Sequence, residues 1–354
     1  MVKIAITADL HFKGDKLTDS SSAWSQLIDY CIINKIPNLF ILGDIFDNSN
    51  IATHRVSVGT ITKAFLEPLL KYASFLETAF PNQGNIYVLE GNHDQAGASQ
   101  DSSLQFLNGI RDNIHLIDKS TVIETNNIKI GLFPWISQRY VTNSNFSEGI
   151  KEIVYQLLNS FKAARVNYLM GHIRVDGYDV SGYKMVGGHY SINLSELLEV
   201  TPNLYFGDIH KSDDYYVGSL IQNNFGDAGN FQGFIVLDTD NNTKTRIPVI
   251  SAEYKILKVP TLDQLPKELP GKDYYRLDVS SDIDISAFPE LLKNSNVKIK
   301  TVSQNDKNEK LESLDITNLD EVSLFKEWLQ TTEYSVEEKE RVLRKVEVLK
   351  SEIN

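Results

Sequence analysis

Cysteine is almost absent: Cys31 is the only one in 354 residues, so no internal disulfide can form. That fits a reducing compartment, where a fold must be held by its core. Cys31 itself, spaced helically with Trp24, Leu27 and Ile28, reads as a small buried apolar residue. Long apolar runs are missing too. None approaches the roughly 18 residues that cross a bilayer as a helix, and no membrane span is expected. The opening residues, Met1-Val2-Lys3-Ile4-Ala5-Ile6, pass directly into a strand pattern and do not lay out a signal peptide. A cytoplasmic location is the expectation. Basic residues are outnumbered, with 35 Lys and Arg against 47 Asp and Glu, for a net charge of −12. This balance argues against a freestanding electrostatic binder of nucleic acid. It leaves room for an enzyme whose bound cations supply positive charge that the formal count omits. No internal repeat is visible.

What the chain does have is a series of short apolar runs that stop abruptly in polar residues. Ile86-Tyr87-Val88-Leu89-Glu90 runs into Gly91-Asn92-His93-Asp94. A β-branched and aromatic run ending this way reads as a buried strand delivering side chains to its C-terminal edge, where open α/β sheets place their chemistry. Four other strand ends carry Asp or His in the same manner: Asp9 with His11, Asp44, His172, and Asp208 with His210. Five such ends are hard to explain as packing.

In chain order, residues 2–8 read as a strand, 20–34 as a helix, 38–42 as a strand, 54–76 as a helix and 85–90 as a strand. This alternation predicts a parallel sheet with helices on both faces. Residues 121–125 and 128–134 read as a hairpin around Asn126-Asn127, 147–164 as an amphipathic helix and 168–170 as a strand. The glycines at 177, 182, 187 and 188 make 173–190 a loop, and 203–206 is a further strand. Residues 215–218 and 231–238 read as closing antiparallel strands. Beyond residue 250, prolines 260, 266, 270 and 289 punctuate short apolar runs, as in a small separate α+β module. Residues 303–312 form a polar linker. The tail carries two apolar helical stripes, one through Leu324, Phe325 and Trp328, the other through Val342, Val346, Leu349 and Ile353.

Imidazole and carboxylate ligands arriving from several directions are what a pair of divalent ions needs. The order here is Asp-x-His, Gly-Asp-x-x-Asp, Gly-Asn-His-Asp, Gly-His, then Gly-x-x-His. It resembles the calcineurin-like metallophosphoesterase superfamily. The segment Tyr215-Tyr216-Val217-Gly218-Ser219 is similar to the Tyr-x-Gly-Ser stretch of SbcD-type DNA-repair nucleases, the meiotic-recombination-eleven class. The specific resemblance covers about residues 1–250. It implies an α/β fold, a four-layer αββα-type metallophosphoesterase sandwich, with a small α+β cap module and a C-terminal helical tail. The implied divisions are 1–250 (nuclease domain), 251–302 (cap) and 303–354 (linker and helix–loop–helix).

Family roles transfer by position. Asp9, His11 and His210 would hold one ion, Asn92, His172 and Asp208 the other, and Asp44 would bridge them. His93 matches the non-ligand histidine that assists the leaving oxygen, and His54 falls near a second phosphate-facing histidine. Two Mn, or Mg, suit a mixed imidazole and oxygen donor set. Asp47, Asp94 and Asn48 lie beside ligands and are expected to orient them. His115 and His189 are expected to be structural or exposed, and Trp24 and Trp135 to be core residues.

The implied activity is a Mn-dependent DNA exo- and endonuclease working with an SbcC-type, SMC-like ATPase in DNA repair or recombination. The 315–354 helices would dock on that ATPase or else pack on the body of the protein, and a homodimer would form through helices of the N-terminal half, with Leu66, Leu69, Leu70 and Phe75 either contributing to it or belonging to the core. Two alternatives stay open: a small-molecule or protein phosphoesterase on the same fold, and a catalytically weakened regulatory subunit of the ATPase complex. One departure matters. The superfamily usually has Gly-His-x-His where this chain has Gly207-Asp208-Ile209-His210. A third carboxylate would lower the charge left on two divalent ions from two to one, weakening the attraction for phosphate.

Overall fold

The computed structural model describes residues 3–47, 57–96, 101–136, 141, 146–180, 183–184, 192–266, 269, 271–283 and 296–302. The chain divides into two compact units: Met1–Val279 with Ile283–Lys300, and Ser280–Asp282 with Thr301–Asn354. The expected tail helices, His54 and His189 lie outside the described residues.

The elements follow the alternation read from sequence. They begin with β1 (Lys3–Thr7), α1 (Leu17–Ile33), β2 (Asn38–Leu42), α2 (Val58–Ala79) and β3 (Asn85–Leu89). The two-residue strands β4 (Gln95–Ala96) and β5 (Asp101–Ser102) form a small ribbon before β6 (Ile114–Ile117). Next come the hairpin β7 (Thr121–Thr125) and β8 (Ile128–Phe133), then α3 (Phe146–Ala164) and β9 (Tyr168–His172). The glycine-bearing stretch contains only β10 (Asp179–Val180) and β11 (Tyr183–Lys184) as regular structure among the described residues. After α4 (Leu194–Leu198) and β12 (Leu204–Gly207) the chain closes with β13 (Gly233–Asp238) and β14 (Thr243–Pro248). Three further strands follow, β15 (Tyr254–Val259), β16 (Tyr274–Ser280) and β17 (Val297–Val302).

Two sheets stack face to face. The first has the order β14-β13-β1-β2-β3-β6, the second β12-β9-β8-β7. β1, β2, β3 and β6 run parallel, as the alternation predicts, and β13 and β14 add antiparallel strands at one edge. Among the described residues helices cover only one face of this sheet, which corrects the expectation of helices on both. The apolar layer on the other face contains Ile4, Ile6, Phe40, Leu42 and Leu89 from the first sheet with Ile130, Leu132, Tyr168 and Met170 from the second. A strand buried on both faces reads as one continuous apolar run whatever covers it. The sequence therefore could not say whether helix or sheet lay opposite.

The outer layers complete an αββα sandwich. On one side Trp24, Leu27, Ile28 and Cys31 of α1 pack with Phe65, Leu69 and Tyr72 of α2 beneath the first sheet. The Trp24 indole N–H donates to the Phe65 carbonyl at 2.9 Å, which joins the two helices. Leu69 is wholly in this core, and Leu66, Leu70 and Phe75 are half-buried against it. On the other side Ile150, Val154, Leu158 and Phe161 of α3 pack on the second sheet. Residues 215–218 form no strand. Tyr216 makes a single parallel bridge to Phe206, so the expected antiparallel pairing is corrected here. The β15–β17 sheet has a small core of its own, around Val259, Leu265, Leu277 and Val279. No described helix is long and apolar enough to cross a membrane.

Candidate metal centre

The C-terminal ends of β1, β2 and β3 in one sheet, and of β9 and β12 in the other, meet at one edge of the sandwich. Chain reversal there is sharp. Asp9, His11, Asp44 and Asp208 all adopt left-handed backbone conformations, with φ of 52°, 43°, 53° and 87°. Asp and His tolerate this region better than most residues, and such local strain concentrates at functional sites. Backbone bonds lock the turns together: Asp9 N–H donates to the Gly43 carbonyl and His11 N–H to the Asp44 carbonyl, at 3.1 and 3.0 Å. Asp94 is fully buried and accepts from the N–H groups of Gly91 (2.9 Å), Ile45 (3.0 Å) and Phe46 (3.3 Å). It holds the second and third motifs in register.

Three overlapping groups of ligand-type atoms result: Asp9 with His11 and His210, Asp9 with Asp44 and His172, and His11 with Asp44 and His93. Asn92 joins them through its Oδ1, 2.9 Å from Nε2 of His172. Six of the seven residues read from sequence as ligands thus converge. Asp208 adjoins them through its backbone, which donates to the Asp9 carboxylate at 3.1 Å. Its own carboxylate belongs to none of the three groups and receives Nε and Nη2 of Arg174 at 2.7 and 3.1 Å.

Whether this donor set suits cations can be judged from its tautomers. Nδ1–H of His172 donates to the Leu42 carbonyl at 2.7 Å. Its Nε2 therefore faces Asn92 Oδ1 and Asp44 Oδ1, the latter 3.4 Å away, and is the nitrogen left for a proton or a cation. Likewise Nδ1–H of His210 donates to Asp227, 3.1 Å from each carboxylate oxygen, and its Nε2 faces Nε2 of His11, 3.0 Å away. Imidazole nitrogens and oxygens facing one another at these distances share a proton or a cation. The residues fit a metal pair.

The protonation tendencies point the same way. Burial works against the charged form of His172, yet Asp44, Asp9 and Asp208 together raise its pKa to about 9. Burial likewise opposes charge on His210, but the Asp227 hydrogen bond and the Asp9 charge raise it to about 9. Asp9 is pushed up to about 6, chiefly by burial. His11, buried among other cationic groups, is held well below the usual imidazole range. The carboxylates thus favour positive charge at His172 and His210, while burial and the neighbouring cationic groups disfavour it at His11.

Two residues that contact the site escaped the sequence reading, Asp227 and Arg174. Tyr216 fixes the segment around the second: its hydroxyl accepts from Val175 N–H at 3.0 Å and donates to the Ile173 carbonyl at 3.2 Å. A cleft of about 250 Å³ opens alongside, lined by Asp208, His210, Lys211, Asp227 and Asn230 among others. His93 is the most exposed of the group, and its Nδ1–H donates to the Asp47 carbonyl.

The profile of the calcineurin-like phosphoesterases matches residues 2–212, which takes in all five strand ends. The chain belongs to this family. Family membership makes it a hydrolase of the metallophosphoesterase superfamily, and the αββα architecture agrees with that. The chain is 23% identical over 265 residues to the SbcD component of the SbcCD nuclease of Staphylococcus epidermidis, covering 68% of this chain and 67% of that protein. It is 21% identical over 262 residues to exonuclease subunit 1 of Enterobacteria phage T4, covering 72% and 67%. Among solved structures, a dimetal phosphatase from Danio rerio aligns over 66% of this chain and 91% of its own, at 12% identity and a TM-score of 0.38.

Proposed function

We propose that the chain is a Mn-dependent DNA exo- and endonuclease subunit that hydrolyses phosphodiester bonds. The observation that carries the reading is the inward-facing Nε2 atoms of His172, His210 and His11 around the Asp9 and Asp44 carboxylates. Asp9, His11 and His210 would hold one ion, and Asn92 and His172 the other, with Asp44 facing both. When bound, such a pair supplies Lewis acidity and a water of lowered pKa. The protein's own groups do the rest. Asn92 presents an amide to a phosphate oxygen. His93, its Nδ1 tied to the Asp47 carbonyl, turns Nε2 toward the centre. Protonated there, it gives that proton to the departing 3′ oxygen.

DNA as the substrate is supported by the names of both curated relatives, one a nuclease component and the other an exonuclease component. The SbcCD name likewise supports a partner of the SbcC type. On this reading that partner, an ATPase, would be met through residues 315–354, with the nuclease domain over 1–250 and a DNA-approach module over 251–302. The setting would be the cytoplasm, on DNA ends in repair or recombination, with the chain working as a homodimer.

The test is purified protein, with and without Mn, on linear duplex DNA, single-stranded DNA and a chromogenic phosphodiester. Mn-dependent DNA degradation that exceeds turnover of the chromogenic ester is expected. Preference for the small ester points to a small-molecule phosphoesterase. Inactivity with every divalent metal, together with tight ATPase binding, points to a regulatory role.

A further inference from the structure

Asp208 occupies a position where the family pattern has a neutral histidine, and the charge it adds is matched at once. Its carboxylate is 4% exposed and carries a two-bond pairing with Arg174, whose side chain is 45% exposed. The carboxylate is thus on the inside and the guanidinium on the solvent side. The pairing uses Nε–H and one N–H of Nη2. Three N–H groups remain, and none has an acceptor among the described residues. Arg174 does not hang on a loose loop, because Tyr216, itself buried, bonds to the backbone on either side of it. Its pKa is raised first by the Asp208 hydrogen bond, and the field of Asp44 also reaches it.

We infer that Asp208 is not an ion ligand but the anchor of Arg174, whose guanidinium forms a fixed phosphate-binding group at the rim of the metal centre. The second ion is then held, on the protein side, by Asp44, Asn92 and His172 alone. Three considerations carry this. Ligation by Asp208 would require breaking a bidentate pair around an almost wholly buried carboxylate, and such pairs are the strong ones. Arg174 cancels the third carboxylate, so the charge on the loaded centre returns to what a neutral histidine would leave. A planar guanidinium with free N–H groups matches phosphate geometry, which an ammonium does not. The inference rests on the dinuclear reading given above.

Calorimetric titration of the full chain separates the possibilities, using Mn alone and then inorganic phosphate at saturating Mn. The wild type and the variants Arg174→Ala, Arg174→Lys, Asp208→Asn and the Arg174→Ala/Asp208→Asn double would be compared, each after its thermal midpoint confirms folding. Two Mn per chain, at affinities within about threefold of wild type, are expected throughout. Phosphate should bind about tenfold to a hundredfold more weakly to Arg174→Ala, the loss expected for a charged hydrogen bond. Arg174→Lys should fall between. The decisive variant is Asp208→Asn. Removing a negative charge would by electrostatics alone tighten phosphate binding, whereas losing the anchor weakens it, by about threefold or more. The double should be no worse than Arg174→Ala.

Loss of one Mn in Asp208→Asn, with Arg174→Ala unaffected, would make Asp208 a ligand and overturn the inference. Unchanged phosphate affinity in Arg174→Ala, or tighter phosphate binding in Asp208→Asn, would overturn it as well. A wild-type chain that takes up no Mn overturns the dinuclear reading first, and this one with it.

Discussion

Both carboxylate oxygens of Asp227 lie 3.1 Å from Nδ1 of His210. The same carboxylate accepts Asn223 N–H at 2.8 Å, so it is held on two sides. Burial opposes its charge, but the His210 hydrogen bond and the surrounding N–H groups keep its pKa below the usual carboxylate range. An ionised Asp227 fixes the tautomer of His210 and directs Nε2 at the centre. Outer partners of this kind are typically worth about 10–100-fold in metal affinity. Asp227→Ala should therefore weaken one of two Mn binding events by roughly that factor, read by calorimetry, and leave the other nearly unchanged. Equal affinities in variant and wild type would refute the role.

Asp227 also marks the limit of what could be read along the chain. The five strand ends were legible because an apolar run that stops in Asp, Asn or His is a local pattern, and the structure gathers those ends at one edge of the sandwich. Asp208 is the exception in its pairing, since its partner Arg174 is 34 residues away and nothing local announces the pair. Asp227 lies 17 residues beyond His210, in a polar Asn-Asn-Phe-Gly-Asp segment that reads simply as a turn. The charge deficit expected from Asp208 omitted Arg174 for the same reason. Helix limits shifted by a few residues: α1 begins at Leu17 instead of residue 20, and α2 runs on to Ala79. Residues 215–218 alternate like a strand but serve to place the Tyr216 hydroxyl beside Arg174.

Gly91 offers a sharper test of the site's packing. A Cβ built there would collide with the Oδ1 and backbone N of Asp44, the carboxylate that faces both halves of the centre. Those atoms belong to a turn and a buried side chain, with little room to yield. Gly91→Ala should cost about 1–3 kcal/mol of stability as overpacking. Its Mn affinity should fall by a larger factor than that of any single outer variant. Gly59, on the exposed start of α2, has nothing within 4 Å of its added Cβ. Gly59→Ala is the matched control, expected to be stabilising by about 0.5–1 kcal/mol. Chemical denaturation with parallel Mn titration reads both, and intact Mn affinity in Gly91→Ala would contradict the packing argument.

His93 should separate binding from turnover. Its ring meets that of His11 edge-on, centroids 5.1 Å apart, and its Nε2 is 4.0 Å from Asp44 Oδ2, so it borders the centre without being enclosed by it. If it delivers a proton to the leaving oxygen, His93→Gln should lower kcat by about 10²–10⁴-fold, the usual range for general acid catalysis. Mn stoichiometry and affinity should be unchanged. A substrate whose leaving group needs no proton, such as a nitrophenyl diester, should lose much less. Loss of Mn from His93→Gln would instead make the residue a ligand.

Lys16 gives a prediction away from the centre, where β15 and β16 meet the sandwich. Its side chain is nearly buried, with Nζ 2.8 Å from the ring centroid of Tyr274 and 4.2 Å from that of Tyr254. Burial lowers its pKa to about 8 against the opposing pull of Asp19 and Asp15. In the unfolded chain the same amine titrates near about 10.4. Between those two values the unfolded state binds more protons than the folded one, so stability must rise with pH across the interval. The contribution is complete above the unfolded value and is lost as pH falls through about 8. Comparing wild type with Lys16→Met cancels the titration of every other group. The stability difference, from urea midpoints at about pH 7, 9 and 10.5, should shift in favour of the wild type as pH increases. A flat difference would mean that the two rings compensate the buried charge in full, by a cation–π attraction stronger than the roughly 2 kcal/mol such contacts reach when desolvated.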